Sequence, residues 1–280
     1  HIQGLEFADP DKVIGGGGRF QFGLKQYRNG PCGVLAAVQA ELLRYLVWPE
    51  LEEGDDVDGM DWDTLDTEVL LEVSTKSLVT AVSSILWRAR PDKDAPVKVA
   101  LVDEQLSHPL ALDELQIIEC ATKAQVEALV RGVLKIFTQQ GGVILLLYSV
   151  VLTRGCQTVW EEAGNVAKFS PSLTPEDTTL GVFQTLVVME GGWAFCEQTL
   201  VNLFLIGQAL VDLDPKDKCA IGFLTYTENL RPPDVTGNWT DPTVVGSNYK
   251  TPTSPIWVLH GGNHYTVLIA RSKGLLKLAE

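Results

Sequence analysis

Three things are scarce in this sequence: basic charge, paired cysteine and long apolar runs. Lysine and arginine number 22 against 36 acidic residues, a formal charge of −14. That balance leaves little of the basic surface that nucleic acid or an anionic membrane requires, so neither is expected as a partner. The five cysteines (32, 120, 156, 196 and 219) are odd in number and scattered, with no Cys-x-x-Cys pair and no Cys–His spacing of a zinc site. No metal is expected, and reduced thiols fit a cytoplasmic or nuclear protein. The longest apolar run, "VILLLYSVVL" at 143–152, is too short to cross a bilayer. The start, "HIQGLEFADPDK", lacks the basic-then-apolar order of a signal peptide. The glycines of "VIGGGGRF" are not followed by the Gly-Lys-Ser/Thr that cradles phosphate, so no cofactor is expected.

What is present suits one mixed α+β domain over residues 1–280, with ample core and no internal repeat. Apolar spacing predicts helices from Cys32 to about Val47, from about Asp63 to Arg88, and from about Cys196 to Ala209. Thr122 can cap another, from about Lys123 to Gln139. Short strands are expected at 97–102 and 115–120, with a further one in "KCAIGFLTYTENL" running into a helical turn. The run 143–152 reads equally as strand or buried helix. The stretches 49–63, 170–179 and 231–255 read as loops, the first acidic and mobile. The chain closes with "IWVLHGGNHYTVLIA", two β runs around a Gly-Gly-Asn turn.

Chemistry points first to Cys32. In "QYRNGPCGVLAAVQAELL", Asn29-Gly30 supplies a turn, Pro31 suits a helix start, and Cys32 falls in the first turn. Unpaired N–H groups and the helix dipole favour a thiolate there. Cys120 ends a β run, Cys156 reads as a loop residue and Cys219 as a strand start; Cys196 has Glu197 beside it, whose carboxylate opposes ionisation. A thiol nucleophile needs a base. Of four histidines, His1 is terminal and His108 precedes Pro109, which leaves His260 and His264 around the final turn. Alternation puts His264, Thr266 and Leu268 on one face and Tyr265, Val267 and Ile269 on the other. An early Cys on a helix and a late His on a strand is the order of papain-like thiol proteases. Gln26, shortly upstream of Cys32, is placed as an oxyanion donor would be in that layout.

At this point the sequence resembles a known family. "FGLKQYRNGPCGVLAAVQAELL" is similar to the catalytic segment of the MINDY deubiquitinases, in the branch with Gly-Pro-Cys-Gly/Ala-Val. The likeness continues in "LVNLFLIGQALVDL", "IGFLTYTENL" and "SPIWVLHGGNHYTVLIA", in the same order over nearly the whole chain. It implies a papain-like variant of the α+β class, with the catalytic Cys at a helix N-terminus and the His on a C-terminal hairpin strand. It also implies a cysteine isopeptidase that trims lysine-48-linked ubiquitin chains, with ubiquitin and polyubiquitin as partners. Residue by residue, it makes Cys32 the nucleophile, His264 rather than His260 the base, and Gln26 the oxyanion donor. One departure stands out: Gly261-Gly262-Asn263 replaces the Ser-Glu-Ser/Thr that more often precedes that histidine. The residue that orients His264 stays open among Thr266, Asn263 and the 231–250 loop. Two other functions share the same motifs: an inactive ubiquitin-chain-binding protein, and a thiol amidase or acyltransferase acting on small amides.

Overall fold

Helix α1 (Cys32–Val47) lies at the centre because nearly every face of it is apolar: only Cys32, Gln39, Arg44 and Tyr45 escape full burial. The computed structural model describes residues 3–8, 23–27, 31–48, 66–102, 115–164, 187–190, 193–230, 244–262 and 264–270. The loops expected at 49–63 and 170–179, and most of that at 231–255, lie outside them.

On one side of α1 packs α2 (Thr67–Arg88), through Leu70, Leu78, Ala81, Val82 and Ile85. The Asp66 side chain caps its start by accepting from the Glu68 N–H at 2.9 Å. This helix has the length and apolarity of a membrane span, but its buried stripe packs against α1 and α3 (Lys123–Thr138), which makes it a core helix here. Between α1, α2 and α6 (Gln198–Ile206) sits a charge cluster. Glu41, fully buried, takes Arg44 Nη1 at 3.0 Å and Arg88 Nη2 at 3.0 Å, and the latter also reaches the Phe204 carbonyl at 3.1 Å.

β1 (Val97–Leu101) and β2 (Gln116–Cys120) form an antiparallel pair, Val97 opposite Cys120. β2 stands exposed, whereas β1 is covered by α4 (Gly142–Arg154). There two helix hydroxyls complete the free edge of β1: Ser149 Oγ accepts from Ala100 N and Thr153 Oγ1 from Lys98 N, each at 2.9 Å. The ambiguous run 143–152 is thus helix, lying within Gly142–Arg154, and Ser149 is its polar handle, with Thr153 one residue beyond it. α3 (Lys123–Thr138) opens with a full capping box between Thr122 and Gln125. α5 (Cys156–Glu162) follows α4 after Gly155, so Cys156 opens a short helix and not a loop.

The pair β3 (Val187–Glu190) and β4 (Trp193–Cys196) precedes α6 (Gln198–Ile206). Cys196 thus ends a strand, where the sequence suggests a helix start. β5 (Gly222–Thr225) runs parallel to β6 (Ile256–Gly261), which pairs antiparallel with β7 (His264–Ile269). A 3-10 turn over Tyr226–Leu230 follows β5, and α7 (Ser247–Lys250) interrupts the expected loop. The turn between β6 and β7 includes Gly262 at φ 63°, a left-handed geometry that suits glycine. The inner face of this three-stranded sheet packs on α1, which fixes the site.

Candidate active site

Cys32 is the first residue of α1, and Pro31 before it leaves the helix start without a side-chain cap. Cys32 is half-buried. Next to it, Gly33 allows an unusually close approach by three other elements. A Cβ at Gly33 would lie 2.9 Å from Cys196 Cβ on β4, 2.9 Å from Val201 Cγ2 on α6 and 3.3 Å from Tyr265 Cδ2 on β7. Gly33→Ala would add about 1 kcal/mol of helix propensity, but overpacking costs about 1–3 kcal/mol. The expected outcome is a lower melting temperature and slower turnover, because Cys196 and Val201 must shift and the Tyr265 ring must give slightly at the helix start. A variant that melts higher at full activity would contradict this contact.

His264 opens β7 opposite Gly261 and is exposed. The pleat follows the alternation expected from the sequence: His264, Thr266 and Leu268 are exposed, Tyr265 is buried, and Val267 and Ile269 are half-buried. Cys32 and His264 are each one residue from the Gly33–Tyr265 contact, while the His264 side chain lies on the opposite face of the strand from Tyr265. His260 shares the Tyr265 face, its ring stacked on the tyrosine at 4.4 Å with 16° between planes.

Burial lowers the His260 pKa, against the opposing effect of a hydrogen bond to the Gly262 backbone. A histidine depressed in the folded state lends stability above its unfolded pKa of about 6.5 and loses it as pH falls through the folded value. His260→Gln should therefore flatten the fall in melting temperature between about pH 7 and pH 5.5. An equally steep fall in the variant would show that His260 does not contribute to it.

Gln26 is exposed on a segment anchored on both sides. Leu24 N donates to Gln39 Oε1 of α1 at 2.6 Å, and the buried Gln3 accepts from Tyr27 N and donates to the Lys25 carbonyl, each at 2.9 Å. Leu24 is thereby tied to α1, and Lys25 and Tyr27 to Gln3, which fixes the backbone on both sides of Gln26.

Cys196 is the thiol whose setting the sequence conceals. Its Cβ packs over Gly33, on the first turn of the Cys32 helix, and the Val34 and Gly33 backbone amides favour its thiolate. Burial nevertheless pushes its pKa up to about 12, with Cys32 and Glu197 adding to the rise and those two amides opposing it. Cys120 and Cys219 are buried elsewhere, the latter raised to about 11 chiefly by burial. Among the described residues no group of three His, Cys, Asp or Glu side chains is placed to hold a metal. Sequence reasoning also missed Tyr265, Gln198 and Asn202. The available signal was polarity: Asn202 interrupts the otherwise apolar "LVNLFLI".

The family description "Deubiquitinating enzyme MINDY-3/4, conserved domain" matches residues 5–213 and 216–280. The chain is 26% identical over 282 residues to human "Probable ubiquitin carboxyl-terminal hydrolase MINDY-4", covering 92% of this chain and 32% of the relative. It is 25% identical over 293 residues to zebrafish "Ubiquitin carboxyl-terminal hydrolase MINDY-3", covering 90% and 58%. The Xenopus tropicalis MINDY-4 protein is 28% identical over 281 residues, covering 91% and 32%. The chain thus spans about one third to just under three fifths of the curated relatives it matches. No solved structure matches it.

Proposed function

Taking as premise that the chain belongs to the MINDY-3/4 deubiquitinase family, we propose that it is a cysteine isopeptidase hydrolysing lysine-48-linked polyubiquitin through Cys32, His264 and Gln26, on a papain-like arrangement. The Cys32 thiolate attacks the carbonyl of ubiquitin's C-terminal glycine, and the Gln26 amide and the Cys32 N–H hold the oxyanion. His264 takes the thiol proton and passes it to the departing lysine amine. Water, deprotonated by His264, then hydrolyses the thioester and frees the enzyme. Supporting this reading above all is the opening of the central helix at Cys32, in contact through Gly33 with the strand that His264 begins.

One observation favours a second reading, a ubiquitin-chain-binding protein without cleavage: His264 sits on the exposed face of its strand. A time course with homotypic chains of each linkage separates the two. Shortening of lysine-48-linked chains ahead of the other linkages is expected. Binding without shortening would establish the second reading, and neither binding nor shortening would turn the site toward small amides.

A further inference from the structure

A chain of amides and phenols, buried except at the half-buried Gln198, links the strand that carries His264 to α6, the segment after it and α7. Asn202, fully buried on α6, uses its whole hydrogen-bonding capacity. Its Nδ2 donates to the Leu210 and Asp212 carbonyls at 2.8 and 3.1 Å, and its Oδ1 accepts from Tyr249 Oη at 2.9 Å and Gln198 Nε2 at 3.1 Å. One helical turn before it, Gln198 presents Oε1 to Tyr265 Oη at 3.4 Å. Tyr265 is 7% exposed, stacks on His260 and meets the first turn of α1 at Gly33. Burial keeps its phenol protonated, with Cys196, Cys32 and Glu197 pushing the same way, so it remains a donor to Gln198.

Apolar side chains would fill this space without the desolvation that three buried polar side chains and the half-buried Gln198 require. What a fully bonded polar chain adds is a single geometry. Here it has one end in the loop after α6 and the other at Tyr265, the residue after His264, against Gly33, the residue after Cys32. We infer that Gln198 and Asn202, acting through the Tyr265 hydroxyl, are positioning residues that set strand β7, and with it His264, against the Cys32 helix start. The inference rests on the reading of Cys32 and His264 as the reacting pair. Neither Gln198 nor Asn202 touches substrate; Tyr265 transmits their effect.

Tyr265→Phe keeps the ring, the stack and the Gly33 contact and removes only the hydroxyl. Gln198→Met keeps the length of the side chain and removes its polar end. Both are to be assayed in the full chain, with His264→Ala as reference, by chain cleavage and by the pH dependence of Cys32 alkylation with iodoacetamide. Each strut variant should lower kcat about tenfold with KM unchanged, the scale of a small misplacement of reacting groups. Each should also move the alkylation profile toward that of His264→Ala. The double variant should lose no more than the worse single one, since both break one link. A shift in melting temperature alone, with kcat and the alkylation profile of wild type, would overturn the strut as a positioning device. If His264→Ala itself leaves the alkylation profile unchanged, the Cys32–His264 reading fails and the strut fails with it. A His264 effect without a Gln198 or Tyr265 effect rejects the strut alone.

Discussion

Cys32→Ala is expected to end cleavage of lysine-48-linked chains while leaving the fold and chain binding intact. The side chain lost is half-buried and small, at the first residue of a helix whose packing begins at Gly33. Its removal opens little space, so the effect falls on chemistry and not on stability. His264→Ala should slow cleavage by about three orders of magnitude, within the range for a general base, and Gln26→Ala by about two, as for an oxyanion donor. Cys196→Ala is the informative companion. Its side chain packs on the same helix turn at Gly33, yet burial holds the thiol in the neutral form. It should therefore retain cleavage. Loss of activity in Cys196→Ala with retention in Cys32→Ala would exchange the two roles.

The largest effect on stability is expected at Glu41. Its carboxylate is buried between two arginines, and Arg88 also ties α2 to α6 through the Phe204 carbonyl. The desolvation of such a cluster is offset only while every partner is present. Glu41→Ala leaves the Arg88 guanidinium, only 23% of whose side chain is exposed, without its counter-charge, which costs about 3 kcal/mol. For a chain of this size that lowers the melting temperature by roughly 5 °C. Replacing both members, Glu41→Leu with Arg88→Met, should recover most of the loss, because the buried charge goes with its partner. Calorimetry of the two variants checks this. A single variant within about 1 kcal/mol of wild type would show that the cluster does not hold α1, α2 and α6 together.

Local signals carried much of the architecture. The boundaries of α1, β1 and β2, the Thr122 cap and the final hairpin follow from spacing and turn chemistry that act within a few residues. The run 143–152 did not resolve that way, since a stretch apolar on nearly every face has no period. Its setting is tertiary: the Ser149 and Thr153 hydroxyls of its helix finish the edge of β1, some fifty residues earlier in the chain. The candidate site divides along the same line. Cys32 at a helix start was legible from Asn-Gly-Pro before it, and the pleat of β7 from alternation. The meeting of β4, α6 and β7 around Gly33 was not, because no local pattern encodes a contact between distant segments. The place of Cys196 over the first turn of α1 was lost for the same reason, and with it the buried link from Asn202 to Tyr265.

The most direct test of the account is capture of the nucleophile by ubiquitin bearing a C-terminal alkyne in place of its last carboxylate. The account predicts an adduct of one ubiquitin, mapped by peptide mass to Cys32, and greatly slowed by His264→Ala. An adduct on Cys196, or no adduct from a protein that still binds ubiquitin chains, would contradict it.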